Sequence, residues 1–311
     1  MRRTRILLYA AVLFAMVCIA DPIVLFAQSG GSGLSFLKVG ASARSMGMGD
    51  AGVADADMGS AMYYNPALIA DDSEASVTIL HNMWMSDITT EFVGVSVPFS
   101  SWSFGLYMGL TTVGGIEIRD QPGDPDAISD NRDFAGGVTA ALAIADGVDV
   151  GVTAKYVFEK IYVDEAGGYA FDFGLAVRPF SQGDLANLKT GITLANVGSM
   201  TELRTVATKL PMLMRYGAAY TIPMDAVEGA LNFSAEGLTL LEESTTHINV
   251  GAEFDYLGVV FLRLGYQSGY DNRSVSFGAG ANYSTLRFDY AFTPFSATFG
   301  NAHTVALSIT L

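Results

Sequence analysis

Cysteine is almost missing: Cys18 is the single one in 311 residues, and it lies in an N-terminal stretch that reads as a removable leader. A mature chain without it can form no disulfide, no thiol nucleophile and no thiolate metal site. Histidine is nearly as scarce, with only His81, His247 and His303. No two of them stand at metal-ligand spacing, and no Gly-x-Ser-x-Gly elbow occurs. No cofactor or metal is expected, and the protein reads as a non-enzyme. Charged residues make up only 16%, against about 25% in soluble proteins. The net charge of −15 and the lack of a Lys/Arg cluster exclude nucleic acid as a partner. Beyond residue 27 no apolar run reaches the ~18 residues that suggest a membrane helix.

What the chain does have is apolar content (50%), 34 glycines, and a positive mean hydropathy of +0.33. Residues 1–27 read as a secretory signal peptide. Arg2, Arg3 and Arg5 precede an apolar run from Ile6 to Ala20, with cleavage expected at Ala27-Gln28 and Ala20 as the runner-up. Removal takes three Arg and one Asp, moving the charge from −15 to −17.

Residues 71–311 show period-two alternation, which is the strand signal. Ile248, Val250, Ala252, Phe254 and Tyr256 oppose Asn249, Gly251, Glu253 and Asp255. Val148, Val150, Val152, Ala154, Tyr156 and Phe158 oppose Asp149, Gly151, Thr153, Lys155 and Glu159. About fourteen such segments are expected, near 75–83, 88–98, 102–113, 132–145, 148–161, 168–178, 188–197, 213–223, 228–238, 246–256, 259–268, 273–283, 285–293 and 302–311. Many run longer than the usual soluble strand and approach the length a tilted membrane strand needs. Tight links at Ser100-Ser101, Asp146-Gly147, Leu257-Gly258 and Ser284 alternate with longer ones at 114–131, 162–167, 198–212, 239–245, 269–272 and 294–301. Asp-Gly is a strong two-residue hairpin signal, and short turns opposite long loops mark outer-membrane barrels. An even strand count puts both chain ends on the short-turn side. An open sheet would leave edges that lipid cannot satisfy, so the sheet must close. The fold expected is therefore all-β: a transmembrane outer-membrane β-barrel of about 14 antiparallel strands, sitting in outer-membrane lipid of a Gram-negative-type bacterium.

Lys155, Arg178, Arg215, Arg263 and Arg287 are expected in the lumen with Asp149, Glu159, Asp172, Glu236, Glu253, Asp255 and Asp289. They read chiefly as mutually paired or solvated lumen charges. The acidic stretch 120–133 does not match the ligand offsets of a calcium loop and reads as a solvated surface loop.

Residues 28–70 read as an N-terminal hatch that enters the lumen as a plug. The segment is rich in small residues, and Gly47, Gly49, Gly52 and Gly59 allow compact turns. Pro66 would end or redirect a helical turn at Ala61–Tyr64. The stretch "GASARSMGMGDAGVADADMGSAMYYNPALIA", residues 40–70, resembles the N-terminal signature of the PorV/PorQ-type outer-membrane proteins. Arg44, the Gly47-Met48-Gly49 run, the Ala- and Asp-rich stretch and Asn65-Pro66-Ala67 carry the resemblance. That family is similar in fold to the FadL-type (OmpP1/FadL/TodX) transporters. The resemblance implies a fourteen-stranded barrel with a hatch, and Arg44, Met46, Gly47, Gly49, Asp50, Asn65, Pro66 and Ala67 as ligand- or hatch-contact residues. Arg44 is expected to pair in a fork with a lumen carboxylate.

Two functions stay open. The first is an accessory or shuttle component of protein secretion or cell-surface assembly, with secretion-system or surface proteins as partners. The second is a FadL-like transporter of fatty acids or other hydrophobic ligands, leaving by a lateral gap. Such a gap needs a broken strand. Pro98 and Pro223 both fall at strand ends, which mildly favours the accessory role. A general porin is a third, weaker reading.

Overall fold

The computed structural model describes residues 32–311 except 86, 120 and 297–299. The expected signal peptide lies outside them. Fourteen antiparallel strands close into one barrel. In chain order they are β1 (Ser76–Met83), β2 (Ile88–Phe99), β3 (Trp102–Ile118), β4 (Ala127–Ala145), β5 (Val148–Ile161), β6 (Asp164–Val177) and β7 (Leu188–Met200). A two-stranded flap follows, β8 (Glu202–Leu203) and β9 (Val206–Ala207). The barrel resumes with β10 (Leu213–Met224), β11 (Gly229–Leu240), β12 (Thr245–Tyr256), β13 (Val260–Ser268), β14 (Val275–Tyr283), β15 (Leu286–Pro294) and β16 (Asn301–Thr310). β1 pairs β16 from Ser76↔Thr310 to Met83↔His303, which seals the cylinder. Every backbone edge is thereby laddered, as lipid demands.

The side chains are inverted relative to a soluble protein. Thr78, Ser96, Thr139, Thr153, Arg215, Glu236, Glu253, Ser276 and Thr304 are buried on the inner face. Ile79, Leu106, Met108, Val152, Phe171, Leu262, Phe277 and Leu307 are exposed on the outer face. A closed sheet with an apolar exterior and a polar lining is stable only in a bilayer. This protein is an outer-membrane β-barrel. Among the described residues no helix is long and apolar enough to cross a membrane.

The loop pattern departs from expectation in two places. The link expected at 162–167 is the two-residue turn Tyr162-Val163, because β6 starts at Asp164. β3 and β4 extend well past their expected ends, so much of the 114–131 loop is strand. The link at 178–187 is longer than the other short-side turns, as the sequence pattern at 179–187 indicates. Glycine and small polar residues weaken the alternation in these stretches, yet cross-strand pairing carries the ladder through.

The segment before β1 fills the lumen. It contains a 3-10 turn at Ser35–Lys38, helix α1 (Ala43–Gly47), a 3-10 turn at Met58–Ser60, helix α2 (Ala61–Tyr64) and a 3-10 turn at Pro66–Asp71. Ser42 caps α1 by accepting from the Ser45 N–H. The segment starts at the long-loop end: Gly33 N donates to Lys209 O at 3.0 Å, and Ser32 donates to Glu243 at 2.7 Å. Lys38 also pairs with Glu243. The two ends of the barrel itself, Ser76 and Thr310, pair at the short-turn side as an even strand count requires. From Ser32 at the long-loop end the described segment descends the lumen to the start of β1.

Candidate functional site

The lumen holds two kinds of wall around this segment. Along β10–β15 the contacts are ionic. The Arg44 Nε and Nη2 atoms donate to both Glu253 carboxylate oxygens at 3.0–3.2 Å. Its Nη1 donates to Asp55 O at 2.7 Å, and its Nη2 meets the Asp55 carboxylate at 3.2 Å. Glu253 also accepts from Arg263 Nε at 2.6 Å. Arg263 reaches Asp289 at 2.8 Å, and Arg287 joins Asp289 and Asp57 at 2.9 Å each. Burial alone would drive the Arg44 pKa down, but Glu253, Asp55 and Asp57 raise it well above the ordinary value. Burial pushes the Asp57 carboxyl up, yet Arg287 and Arg44 bring it below its ordinary range.

A second cluster sits beside the first. Arg215 donates to Glu236 at 2.5 Å and lies 3.9 Å from Asp50. The other Glu236 oxygen accepts the backbone N–H groups of Gly52 and Val53 at 2.9 and 2.8 Å. Tyr64 donates its hydroxyl to Asp50 at 2.6 Å, and the Arg215 guanidinium lies over the Tyr64 ring at 5.2 Å.

Backbone packs on backbone here. Gly49, at φ +72°, lies against the carbonyls of Val250 and Tyr266 where no side chain would fit. Its N–H donates to Ser276 and its carbonyl accepts from Gln267, both at 3.0 Å. Gly47 abuts Gly278. The Met46 sulfur accepts from Thr304 at 3.6 Å.

Asn65-Pro66-Ala67 is a capped 3-10 turn. Asn65 Oδ1 accepts from the Ala67 N–H at 3.0 Å while Pro66 occupies the first position, where a missing N–H costs nothing. Asn65 Nδ2 donates to Val53 O at 2.9 Å and Leu175 O at 3.0 Å. Pro66 fits only because Gly151 and Gly174 face it.

Along β1–β6 the wall carries an apolar patch beside polar groups: Thr78, Ser96, Thr139 and Thr153 are buried there, and Lys155 pairs with Asp172 at 2.7 Å. Leu80, Phe92, Tyr107 and Ala141 point inward and are buried against Met62, Tyr64 and Ile69. Phe92 and Tyr107 stack at 5.8 Å, and Tyr63 meets both edge-on at 6.0 Å. Nearer the long-loop end, Ala135, Val157, Ala166 and Ala170 pack on Leu34 and Leu37. This apolar patch went unread in the sequence. Its signal is a doublet of adjacent apolar residues, such as Ile79-Leu80, Phe92-Val93, Tyr107-Met108 and Tyr156-Val157, where both faces are apolar.

Among the described residues, no group of three His, Cys, Asp or Glu side chains is placed to hold a metal. The three histidines do not converge on one place. His81 pairs with Glu91 at 2.6 Å, His247 stacks on Tyr270 at 3.9 Å, and His303 bonds Tyr290 at 2.7 Å.

A closed fourteen-stranded barrel filled by its own N-terminal segment decides the fold comparison. The fold is that of the FadL- and TodX-type outer-membrane channels. The toluene transporter TodX of Pseudomonas putida superposes with a TM-score of 0.64 at 10% identity, covering 88% of this chain and 99% of that one. The CymD monoaromatic hydrocarbon channel gives 0.57 at 13% identity, covering 88% and 97%. A Pseudomonas aeruginosa FadL homologue gives 0.51 at 12% identity, covering 87% and 98%. No protein-family model and no curated protein matches the chain.

Proposed function

We propose that this protein is a non-enzymatic outer-membrane channel for small hydrophobic molecules. The observation that carries the reading is the split lumen. On the β1–β6 side an apolar and aromatic patch, from Leu80, Phe92 and Tyr107 to Val157 and Ala170, lies among polar groups such as Thr78, Thr139 and the Lys155–Asp172 pair. A lumen meant for polar solutes gains nothing from such a lining, whereas an apolar solute partitions into it. The neighbours TodX and CymD are described as a toluene transporter and a monoaromatic hydrocarbon channel, which fits small aromatic solutes.

The proposed route runs between the lumen segment and the β1–β6 wall. Neighbouring strands are laddered all round the barrel, with register shifts at Val113/Ile116, Ala143/Ala145 and Phe171/Phe173. A lateral exit is therefore not invoked, and Pro98 and Pro223 are both paired within ladders.

The test is uptake of labelled toluene by cells with a lipopolysaccharide outer membrane that express the protein, against cells that lack it. Saturable uptake above the cells that lack it is expected, reduced severalfold when Phe92 and Tyr107 are both changed to Ser. Uptake equal to those cells would reject the channel. The accessory role rests on the resemblance of residues 40–70 to PorV/PorQ-type proteins. Stoichiometric protein partners in native mass spectrometry, with no toluene uptake, would favour that role instead.

A further inference from the structure

The outer face of the barrel carries a charged feature near the long-loop end. Arg132 of β4 and Lys160 of β5 stand directly opposite each other in the ladder. Both side chains point outward, because the adjacent Asp133 and Glu159 take the inner face. Glu159 is buried there and accepts from Thr208 at 3.2 Å. Like charges directly opposite on one face of a sheet repel. We propose that this pair binds the phosphate of a glycolipid in the outer leaflet.

Height places the pair at headgroup level. Trp102 pairs with Leu142 at the short-turn end, and both are on the outer face. Arg132 lies ten residues along β4 from Leu142, about 33 Å at ~3.3 Å per residue. At a strand tilt of about 40° that is a rise of about 25 Å, the height of the apolar band of such barrels. Aromatic side chains mark the same boundary. Phe134 stands opposite Phe158 just below the pair, and Tyr156 packs on Tyr169 at 5.5 Å. Tyr162 is exposed in the turn above. Tyrosine gathers where acyl chains give way to headgroups. Long loops face outward from the cell, so the lipid beside the pair is that of the outer leaflet.

The charge balance supplies the second argument. The chain has 32 acidic and 17 basic residues, and other cations at this end each hold a carboxylate. Lys38 has Glu243, Arg119 has Glu117, Arg204 has Asp164 and Lys209 has Glu242. Lys160 meets Glu165 at 2.7 Å on its β6 side, away from Arg132. Arg132 is exposed and forms no ion pair among the described residues. Asp130, one pleat nearer the loops, accepts from the Gly115 N–H at 3.3 Å. Asn131 accepts from the Tyr162 N–H at 3.3 Å, which ties this end of β4 to the β5–β6 turn. The guanidinium fork of Arg132 matches two phosphate oxygens, and the Lys160 ammonium adds a point charge. The site stands apart from the channel reading, because hydrocarbon flux enters neither its argument nor its test.

The test is native mass spectrometry of the full protein in detergent, titrated with lipid A and, separately, with dephosphorylated lipid A. One retained lipid A per barrel is expected. Its affinity should fall at least tenfold in the double variant Arg132→Ala, Lys160→Ala and rise a few-fold in Glu165→Gln. Equal binding of dephosphorylated lipid A overturns the proposal, because acyl packing alone would then hold the lipid. Unchanged binding in the double variant overturns it too. Should the double variant fail to fold, Glu165→Gln decides, because equal or weaker binding there overturns the site.

Discussion

The two walls of the lumen hold the same segment by opposite means. Residues 43–55 are fixed to β10–β15 by buried arginines and carboxylates, and by backbone donors aimed at Glu236. Residues 58–70 lie on β1–β6 through methionine, tyrosine, small residues and close glycine contacts such as Gly59 on Gly94. An ion pair in a low-dielectric lumen is specific in place and costly to break. An apolar contact is non-directional and can be exchanged for contact with an apolar guest. The difference assigns one part of the segment to anchoring and the other to yielding.

The largest effect should come from removing the shared carboxylate of the anchoring wall. Glu253→Ala leaves Arg44, Arg263 and Arg287 short of their common partner. A loss of roughly 3–5 kcal/mol is expected in urea unfolding from liposomes, with new proteolysis within residues 43–55. An unchanged midpoint would mean that the ionic wall does not anchor.

Asn65→Ala should come next. It removes the cap on Ala67 and the two donations to Val53 O and Leu175 O, at about 1–3 kcal/mol. Because Asn65 ties the two parts together, protease sensitivity should spread from 58–70 into 43–55. Confinement to 58–70 would show that the parts are uncoupled.

Gly94→Val should cost less globally, about 1–3 kcal/mol at most. A Cβ at Gly94 would meet Gly59 O at 1.9 Å, so the Met58–Ser60 turn must leave the wall. Its expected mark is faster amide exchange at 57–64 with 43–55 unchanged. Equal exchange in both would contradict the division.

The smallest effect concerns pH. Burial raises the Asp72 carboxyl to about 6, partly offset by the Ser96 hydrogen bond. A raised folded-state pKa contributes stability that is complete below the ordinary value of 3.8 and lost as pH rises through about 6. Asp72→Asn should therefore raise the melting temperature at pH 7.5 and leave it unchanged near pH 3.5. The opposite order would refute the assignment.

The strands were legible because alternation of period two survives any tertiary context that keeps one face apolar. β5 matches its expected span, and β1, β2 and β10 differ by a residue or so. The helical turn at Ala61–Tyr64 and its end before Pro66 were legible, since proline acts locally. The partners of Arg44 were not, because Glu253 lies far along the chain and only barrel closure brings it near. The apolar patch was hidden because inward Leu80, Phe92 and Val157 sit beside outward apolar neighbours, so alternation alone assigns neither face.

The most direct test of the divided lumen is amide exchange of the protein in nanodiscs, with and without saturating toluene. Peptides covering residues 57–71 should lose protection on adding toluene, while those covering 43–55 keep theirs. Equal loss in both, or loss in 43–55 first, would contradict the account.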